Sequence, residues 1–371
     1  MALRKRRHDV RVVTTRWKDD EEPDTHQEYV YRLPALHAPR NRFLLGFSIV
    51  PLAHSPANRR RMLEIVKEFK PDIIHQINHV FDTLFLSAYA AQRTGTPLVG
   101  SVTTPIQSGS LFLHTLMHIA DVALLYNFGV RHWKRIICSD STHTRYVLDS
   151  YGHRVQSRIV NNIYVGVHRR ISDQHPTERA SWPQIVTVGH VHEARDPTNI
   201  VRSMPAILKR FPDARFDIAG RIQSNRALDE TMRLGLGSSV RFLGEVPPAR
   251  VTGLVSQAQV FVILHQCRYA GLSFTAIEAM QFGTPVVINA PEDLYGPGML
   301  KDGQNIVLVD ANDVKEIADK IILLLENRRL REHIGQNGRQ FVDAYLRWDI
   351  NAQKTEDLYV EVLDRGRVSQ H

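Results

Sequence analysis

The sequence predicts an α/β protein made of two doubly wound parallel-sheet, Rossmann-like domains facing a cleft. Three observations predict it. Runs rich in β-branched residues alternate with helix-length amphipathic segments from residue 185 onward, the same rhythm runs more faintly through the front half, and a polar, Pro-containing linker, "TERASWPQ" at 177–184, separates the two. A chain of 371 residues, 43% hydrophobic and 23% charged, is long enough for two cores. Strands joined by single helices form right-handed βαβ units, and hence parallel sheets.

The elements follow in order. "DVRVVTT" reads as a strand, and the acidic loop "KDDEEPDTHQEY" follows it. "ANRRRMLEIVKEF" has a helical period and leads into the strand "DIIHQI"; a helix around 83–93 and the strand "PLVGSVT" come next. "RIICSD" and "RIVNNIYV" are strands around the helix "STHTRYVLDSY". The second half runs "IVTVG", helix "PTNIVRSMPAILKRF", "RFDIAG", a helix to 236, "VRFLG", helix "PPARVTGLVSQA", "VFVILH", a short helix, "PVVIN" and "NIVLVD". The domains are therefore set at 1–176 and 183–346, with a final helix in 347–371. There is no internal repeat beyond this shared rhythm and no low-complexity segment.

Composition narrows the function classes. Cys138 and Cys267 give neither a metal-ligand spacing nor a disulfide framework, and predict two reduced thiols in a cytoplasmic protein. The longest apolar stretch, "SLFLHTLMHIADVALLYNFGV", is interrupted by His114, His118 and Asp121, so it predicts no membrane span, and no export signal opens the chain. The net charge of +8 is uneven: residues 1–170 carry 24 Lys and Arg against 14 Asp and Glu. The clusters are "LRKRRH", "NRRRMLEIVKEFK" and "RHWKR". Such clusters suit an anionic membrane surface, a phosphorylated acceptor or nucleic acid, or are a solvated helix face. They lack the interleaved aromatics of a nucleic-acid module, which argues against that partner.

Doubly wound domains bind ligands beyond the carboxyl ends of their strands, where helix N-termini present amides to phosphates. In "YAGLSFTAIEAMQFGTPVVI", residues 269–288, the helix begins near Leu272 to Phe274 and stops at Gly283 and Pro285. Gly271 lets a ligand approach the backbone, and Glu278 stands where a carboxylate can accept bonds from a sugar diol.

From about residue 2 to 363 the chain resembles the GT-B-fold, family 4 retaining glycosyltransferases. "EAMQFGTPVV" matches the second half of that family's signature, which implies that Glu278 binds the ribose of a nucleotide-diphosphate sugar. The family's first Glu is replaced by Ala270, which removes the usual contact to the donor sugar. After "IVTVG", ending at Gly189, the family has Arg and Lys for the diphosphate; here His190 and Arg195 occupy those places. Arg195 is a sound substitute because guanidinium binds phosphate in bidentate fashion, whereas His190 is a weaker cation. Thr103 stands where the family has an acceptor-side His, with His75 and His79 nearby in sequence; a His at a buried strand end also reads as hydrogen-bonded structure. "FDIAGRIQ" places Gly220 and Arg221 beside the donor, "RFLGEVP" places Val246 at the nucleobase, and "LRWDINAQKTEDLY" matches the helix that crosses back to the first domain.

The resemblance implies an N-terminal acceptor-side domain and a C-terminal donor domain. It implies a hexosyltransferase that needs no metal or other cofactor, with Arg195, His190 and the Gly271, Leu272 and Ser273 amides stabilising the departing diphosphate. The implied partners are a nucleotide sugar and a glycan or lipid-linked acceptor in polysaccharide or envelope glycan synthesis, at the inner membrane face. Relative to the family, the usual first strand and its Gly-rich turn are missing before "ALRKRRHDVRVVTT", so a natural start upstream, or a truncated form, is expected. Ala270, Thr103 and His190 equally fit a second class, a degenerate glycosyltransferase-like binding or scaffolding protein that keeps a nucleotide site.

Overall fold

The computed structural model describes residues 2–16, 28–37, 51–107, 111–167 and 180–368. The acidic segment 18–27, the end of the first predicted domain at 168–176 and the first part of the predicted linker at 177–179 lie outside them. The chain divides into two compact units, Met1–Tyr164 with Asp349–His371, and Val165–Trp348.

In the first unit, β1 (Val12–Thr15) pairs in parallel with β2 (Val30–Leu33), and β3 (Leu36–His37) pairs antiparallel with β4 (Pro51–Leu52). A separate four-stranded parallel sheet runs in sequence order through β5 (Ile74–Ile77), β6 (Leu98–Val102), β7 (Ile136–Cys138) and β8 (Ile159–Val160). The expected single doubly wound sheet is thus divided: among the described residues, no strand pairs with both β1 and β5.

The helices of this unit begin with the short α1 (Ala2–Lys5), before β1. Helix α2 (Pro56–Phe69) starts on a Ser55 cap with Pro56 in its first turn, and buries Asn58, Met62, Ile65 and Val66, one face at helical spacing. Its arginines 59–61 face outward with Glu64 and Glu68, an ordinary mixed-charge surface. Then come α3 (Thr83–Thr94), α4 (Leu111–Ala120), a π-helical turn at Asp121–Tyr126 that continues α4, and α5 (Ser141–Tyr151), capped by Asp140.

The second unit is the fuller expression of the predicted fold. Its six strands, β9 (Gln184–Val188), β10 (Arg215–Ala219), β11 (Val240–Gly244), β12 (Val260–Ile263), β13 (Val286–Ile288) and β14 (Val307–Leu308), form one all-parallel sheet in the order β11-β10-β9-β12-β13-β14. Strand order therefore reverses between β9 and β12, the topological switch point of a doubly wound sheet. Both strands are buried along their whole length, as strands covered by helices on two faces must be. The connecting helices are α6 (Thr198–Arg210), α7 (Arg226–Arg233), α8 (Pro248–Gln257), α9 (Phe274–Gln281), α10 (Val314–Glu326) and α11 (Arg328–Tyr345).

The last helix, α12 (Trp348–Val368), packs on the first unit. Leu358 and Val362 join Val99, Ile137 and Ile163 in one apolar cluster, and polar ties surround it: Arg135 to Glu361 at 2.6 Å, Lys354 to the Asn162 carbonyl at 2.8 Å, and the Tyr164 amide to Asn351 at 3.0 Å. Among the described residues no helix is long and apolar enough to cross a membrane.

Candidate functional site

The loops leaving β9 and β12 frame the switch point of the second unit. After β9 the chain turns on Gly189, whose φ of +146° suits glycine, and a bridge between His192 and Arg195 folds Arg195 back across it. A Cβ on Gly189 would lie 2.4 Å from an Arg195 guanidinium nitrogen, so the glycine makes room for the cation. The Gln266 amide donates to the Ala194 carbonyl at 2.9 Å, and the Thr275 hydroxyl at the start of α9 donates to the Val188 carbonyl at 3.1 Å. These two bonds tie the β12 loop and the α9 N-terminus to the end of β9.

Arg195 is half-buried, and among the described residues its Nε has no partner and no carboxylate pairs with it. Burial lowers its pKa, with Cys267 nearby as the opposing influence. A desolvated cation without a counter-charge favours an anion from outside the chain. Helix α9 begins beside it, with Ser273 as N-cap accepting the Ala276 amide at 3.2 Å. Gly271, Leu272 and Ser273 are half-buried in the approach to that helix, which ends at Gly283 (φ +70°) as its sequence predicts. Glu278, in its second turn, is half-buried without a side-chain hydrogen-bond or ion-pair partner among the described residues, and burial raises its pKa. It is an acceptor that nothing among the described residues satisfies.

The remaining expected donor residues are placed differently. His190 is exposed, and its Nδ1 accepts the Arg221 amide at 3.3 Å. The Arg221 guanidinium itself forks onto Glu245 at 3.0 and 3.3 Å, so its charge is already matched. Val246 is half-buried just beyond that pair. Sequence reasoning missed two histidines beside Arg195. His265 is held by both sides of its peptide, its N–H to Asn289 Oδ1 at 2.8 Å and its carbonyl to Asn289 Nδ2 at 2.7 Å. Burial, then Arg195 and His192, hold its pKa down to about 3, so it is neutral, and its buried Nε2 lacks a partner. His192 is lowered by burial and by Arg195. The available signal was the polar residue that ends the apolar run "VFVILH".

Thr103, His75 and His79 belong to the first unit. Thr103 is exposed at the end of β6, and its backbone bonds to the His143 ring, whose other nitrogen lies 2.7 Å from Asp140. His75 uses both ring nitrogens internally, at 2.6 Å from the Tyr359 hydroxyl and 2.6 Å from Ser101 Oγ, and burial takes its pKa to about 4. It joins β5 to α12. His79 is fully buried, with Nε2 2.8 Å from the Tyr146 hydroxyl. Tyr146 donates its one proton to Asp121 at 2.5 Å, so His79 must donate to Tyr146; Tyr151 donates to the other Asp121 oxygen at 2.7 Å. Asp121, Tyr146 and Tyr151 were not singled out as partners, although a lone acid inside an apolar stretch signals a buried bond.

Two family models match the chain in tandem: "Glycosyltransferase Family 4" over residues 1–168 and "Glycosyl transferases group 1" over 169–341. The chain is 26% identical over 331 residues to a phosphatidyl-myo-inositol mannosyltransferase of Mycobacterium leprae, spanning 86% of this chain and 81% of that protein. It is 30% identical over 179 residues to a D-inositol 3-phosphate glycosyltransferase of Corynebacterium diphtheriae, a match that covers 46% of this chain and 41% of the relative. A glycosyltransferase from Rickettsia africae superposes with a TM-score of 0.73 at 15% identity, over 97% of this chain and 92% of that one. Anabaena HepE in complex with UDP and glucose superposes with a TM-score of 0.69 at 13% identity, over 95% and 100% of the respective chains. These two show the GT-B fold.

Proposed function

The chain belongs to the family 4, group 1 glycosyltransferases, and from that premise we propose that it moves a hexose, with retention, from a nucleotide-diphosphate sugar to a glycan or lipid-linked acceptor. One observation carries the reading: at the switch point of the second unit, an uncompensated Arg195 folded over Gly189 stands in the same loop cluster as the N-terminus of α9, which bears the unpartnered Glu278. The guanidinium and the amides of the α9 approach answer the diphosphate, and Glu278 accepts from the ribose hydroxyls.

In this reading the bond from the anomeric carbon to the diphosphate oxygen breaks, the acceptor oxygen attacks on the same face, and the departing diphosphate takes the acceptor proton. Arg195 meets the charge that grows on the β-phosphate, and one well-placed donor of this kind is worth about 2.7–4 kcal/mol. The reading asks for no metal, because the counter-charge to the diphosphate comes from the chain. His190 adds a contact from the exposed rim. A glycan or lipid-linked acceptor accords with the M. leprae relative, a phosphatidyl-myo-inositol mannosyltransferase.

A second reading, a nucleotide-binding module without turnover, is favoured by Ala270 and by Thr103, which put a methyl and a hydroxyl where the family has an acid and an imidazole. Calorimetric titration with a panel of nucleotide diphosphates and their sugar conjugates, alongside Arg195→Ala, tests both. Binding that tightens with the sugar attached and disappears in the variant supports the transferase. Binding indifferent to the sugar, without turnover of any conjugate, supports the module, and binding of no nucleotide overturns both.

A further inference from the structure

The apolar stretch of the first unit buries Tyr126 and Val130 but leaves much of its apolar surface outside the core. Along α4 and the π turn, Phe112 is 80% exposed, Leu116 54%, Ile119 57%, Leu124 52% and Phe128 61%. The first three recur at i, i+4 and i+7, one stripe of an α-helix. A regular helix would carry Leu124 and Phe128 off that stripe, but the wider π turn at Asp121–Tyr126 sets the following residues back by about 100° for one added residue, which returns them toward it. The inner side of the same turn is fixed: Asp121, 1% exposed, accepts from Tyr146 and Tyr151 of α5. The helix is therefore anchored by polar bonds on its inside and carries an apolar ridge on its outside.

Charge identifies what covers that ridge. From 111 to 135 the only acid is the buried Asp121. At the Phe128 end, four cations gather with no acidic partner among the described residues. Arg131 and Lys134 are exposed on the next turn, Arg154 lies 4.4 Å over the Tyr126 ring, and Arg158 bonds the Arg131 and Trp133 carbonyls at 3.0 Å each. We propose that this ridge and its basic end dock the protein on an anionic lipid bilayer, with Phe112, Leu116, Ile119, Leu124 and Phe128 in the headgroup boundary and Arg131, Lys134, Arg154 and Arg158 on lipid phosphates. A second copy meeting the same patch would set these cations against each other, which disfavours self-pairing. The ridge begins nine residues after Thr103, so the docked helix continues the loop to which the family resemblance assigns acceptor contacts. The inference stands beside the donor-site reading, because its measurement needs no nucleotide.

The test is flotation of the full chain with phosphatidylcholine vesicles and with vesicles that also contain phosphatidylglycerol, at low and high salt. The expected result is flotation with the anionic vesicles only, lost at high salt. Arg131→Gln with Lys134→Gln should weaken it about 30-fold, at about fivefold per cation, and Leu116→Ser with Ile119→Ser about tenfold or more. Phe112→Trp, a substitution at an exposed site, gives a second readout: its emission should shift to the blue on anionic vesicles and stay fixed on neutral ones. Absence of flotation and of any shift at low salt overturns the proposal, as does equal vesicle binding by the folded variants. A concentration-dependent dimer dissolved by the serine pair, without vesicle binding, also overturns it and assigns the ridge to a second copy.

Discussion

The two units treat their titratable groups in opposite ways. In the first, His75 and Asp121 are closed into internal bonds with Tyr359, Ser101, Tyr146 and Tyr151, while His79 is held through Nε2 alone and its buried Nδ1 has no partner among the described residues. In the second, Arg195 and Glu278 are half-buried and have no side-chain ion pair among the described residues, while neighbouring Arg221 is tied to Glu245. A burial cost that the fold itself offsets marks structure, and one it leaves uncompensated marks a place for a ligand. By that criterion His75 and Asp121 hold the first unit together, and the unmatched groups at the switch point of the second are where the proposed donor would bind.

Four measurements break or sharpen this contrast. The largest effect is expected for Arg195→Ala, which should lower turnover about 10²–10³-fold and abolish detectable diphosphate binding while leaving the melting curve in place. A melt that collapses instead would make Arg195 structural. Glu278→Gln keeps the size but weakens the acceptor, and should cost about 1.5–3 kcal/mol of nucleotide affinity by calorimetry, with nucleotide monophosphates and diphosphates affected alike. His75→Leu should do the reverse: about 1–3 kcal/mol of stability lost in denaturant, because Tyr359 and Ser101 lose their shared partner, with nucleotide affinity unmoved. Loss of nucleotide affinity in that variant would erase the distinction between the units.

The smallest effect is in the pH dependence. Burial raises the Asp121 pKa above 3.8, against the pull of the two tyrosine bonds. The folded state then holds this proton more tightly than the unfolded chain, so the contribution to stability is intact below pH 3.8 and falls as pH rises through the raised value. Asp121→Asn should flatten that part of the stability profile. An unchanged slope would show that the carboxyl titrates as an exposed acid does.

Much of the second unit was legible because its signals are local. Gly283 and Pro285 stop α9 where they predict, the β9 and β12 runs are strands, and Arg195 and Glu278, singled out from a few flanking residues each, lie in the loop after β9 and on α9 at that sheet's switch point. The first unit was less legible. "RIVNNIYV" yields only the two-residue β8, since a strand's length is set by the partner beside it as much as by its own propensity. The apolar stretch around Asp121 has the composition of a core helix, yet its apolar face is outward.

The sequence by itself determined the order of strands and helices, the stops between them, the positive front half and the residue types at the donor loops. Those depend on dihedral preference, periodicity and charge, which act over a few residues. The tertiary structure alone decided which polar groups are satisfied: that Glu245 occupies Arg221, that Tyr359 occupies His75, that tyrosines hold Asp121 inside while the ridge faces out, and that Arg195 and Glu278 have no ion-pair partner among the described residues. The physical reason is that a hydrogen bond or ion pair is made with whatever the folded chain brings within about 3 Å, and the partners Glu245, Tyr359, Tyr146 and Tyr151 come from 24 to 284 residues away.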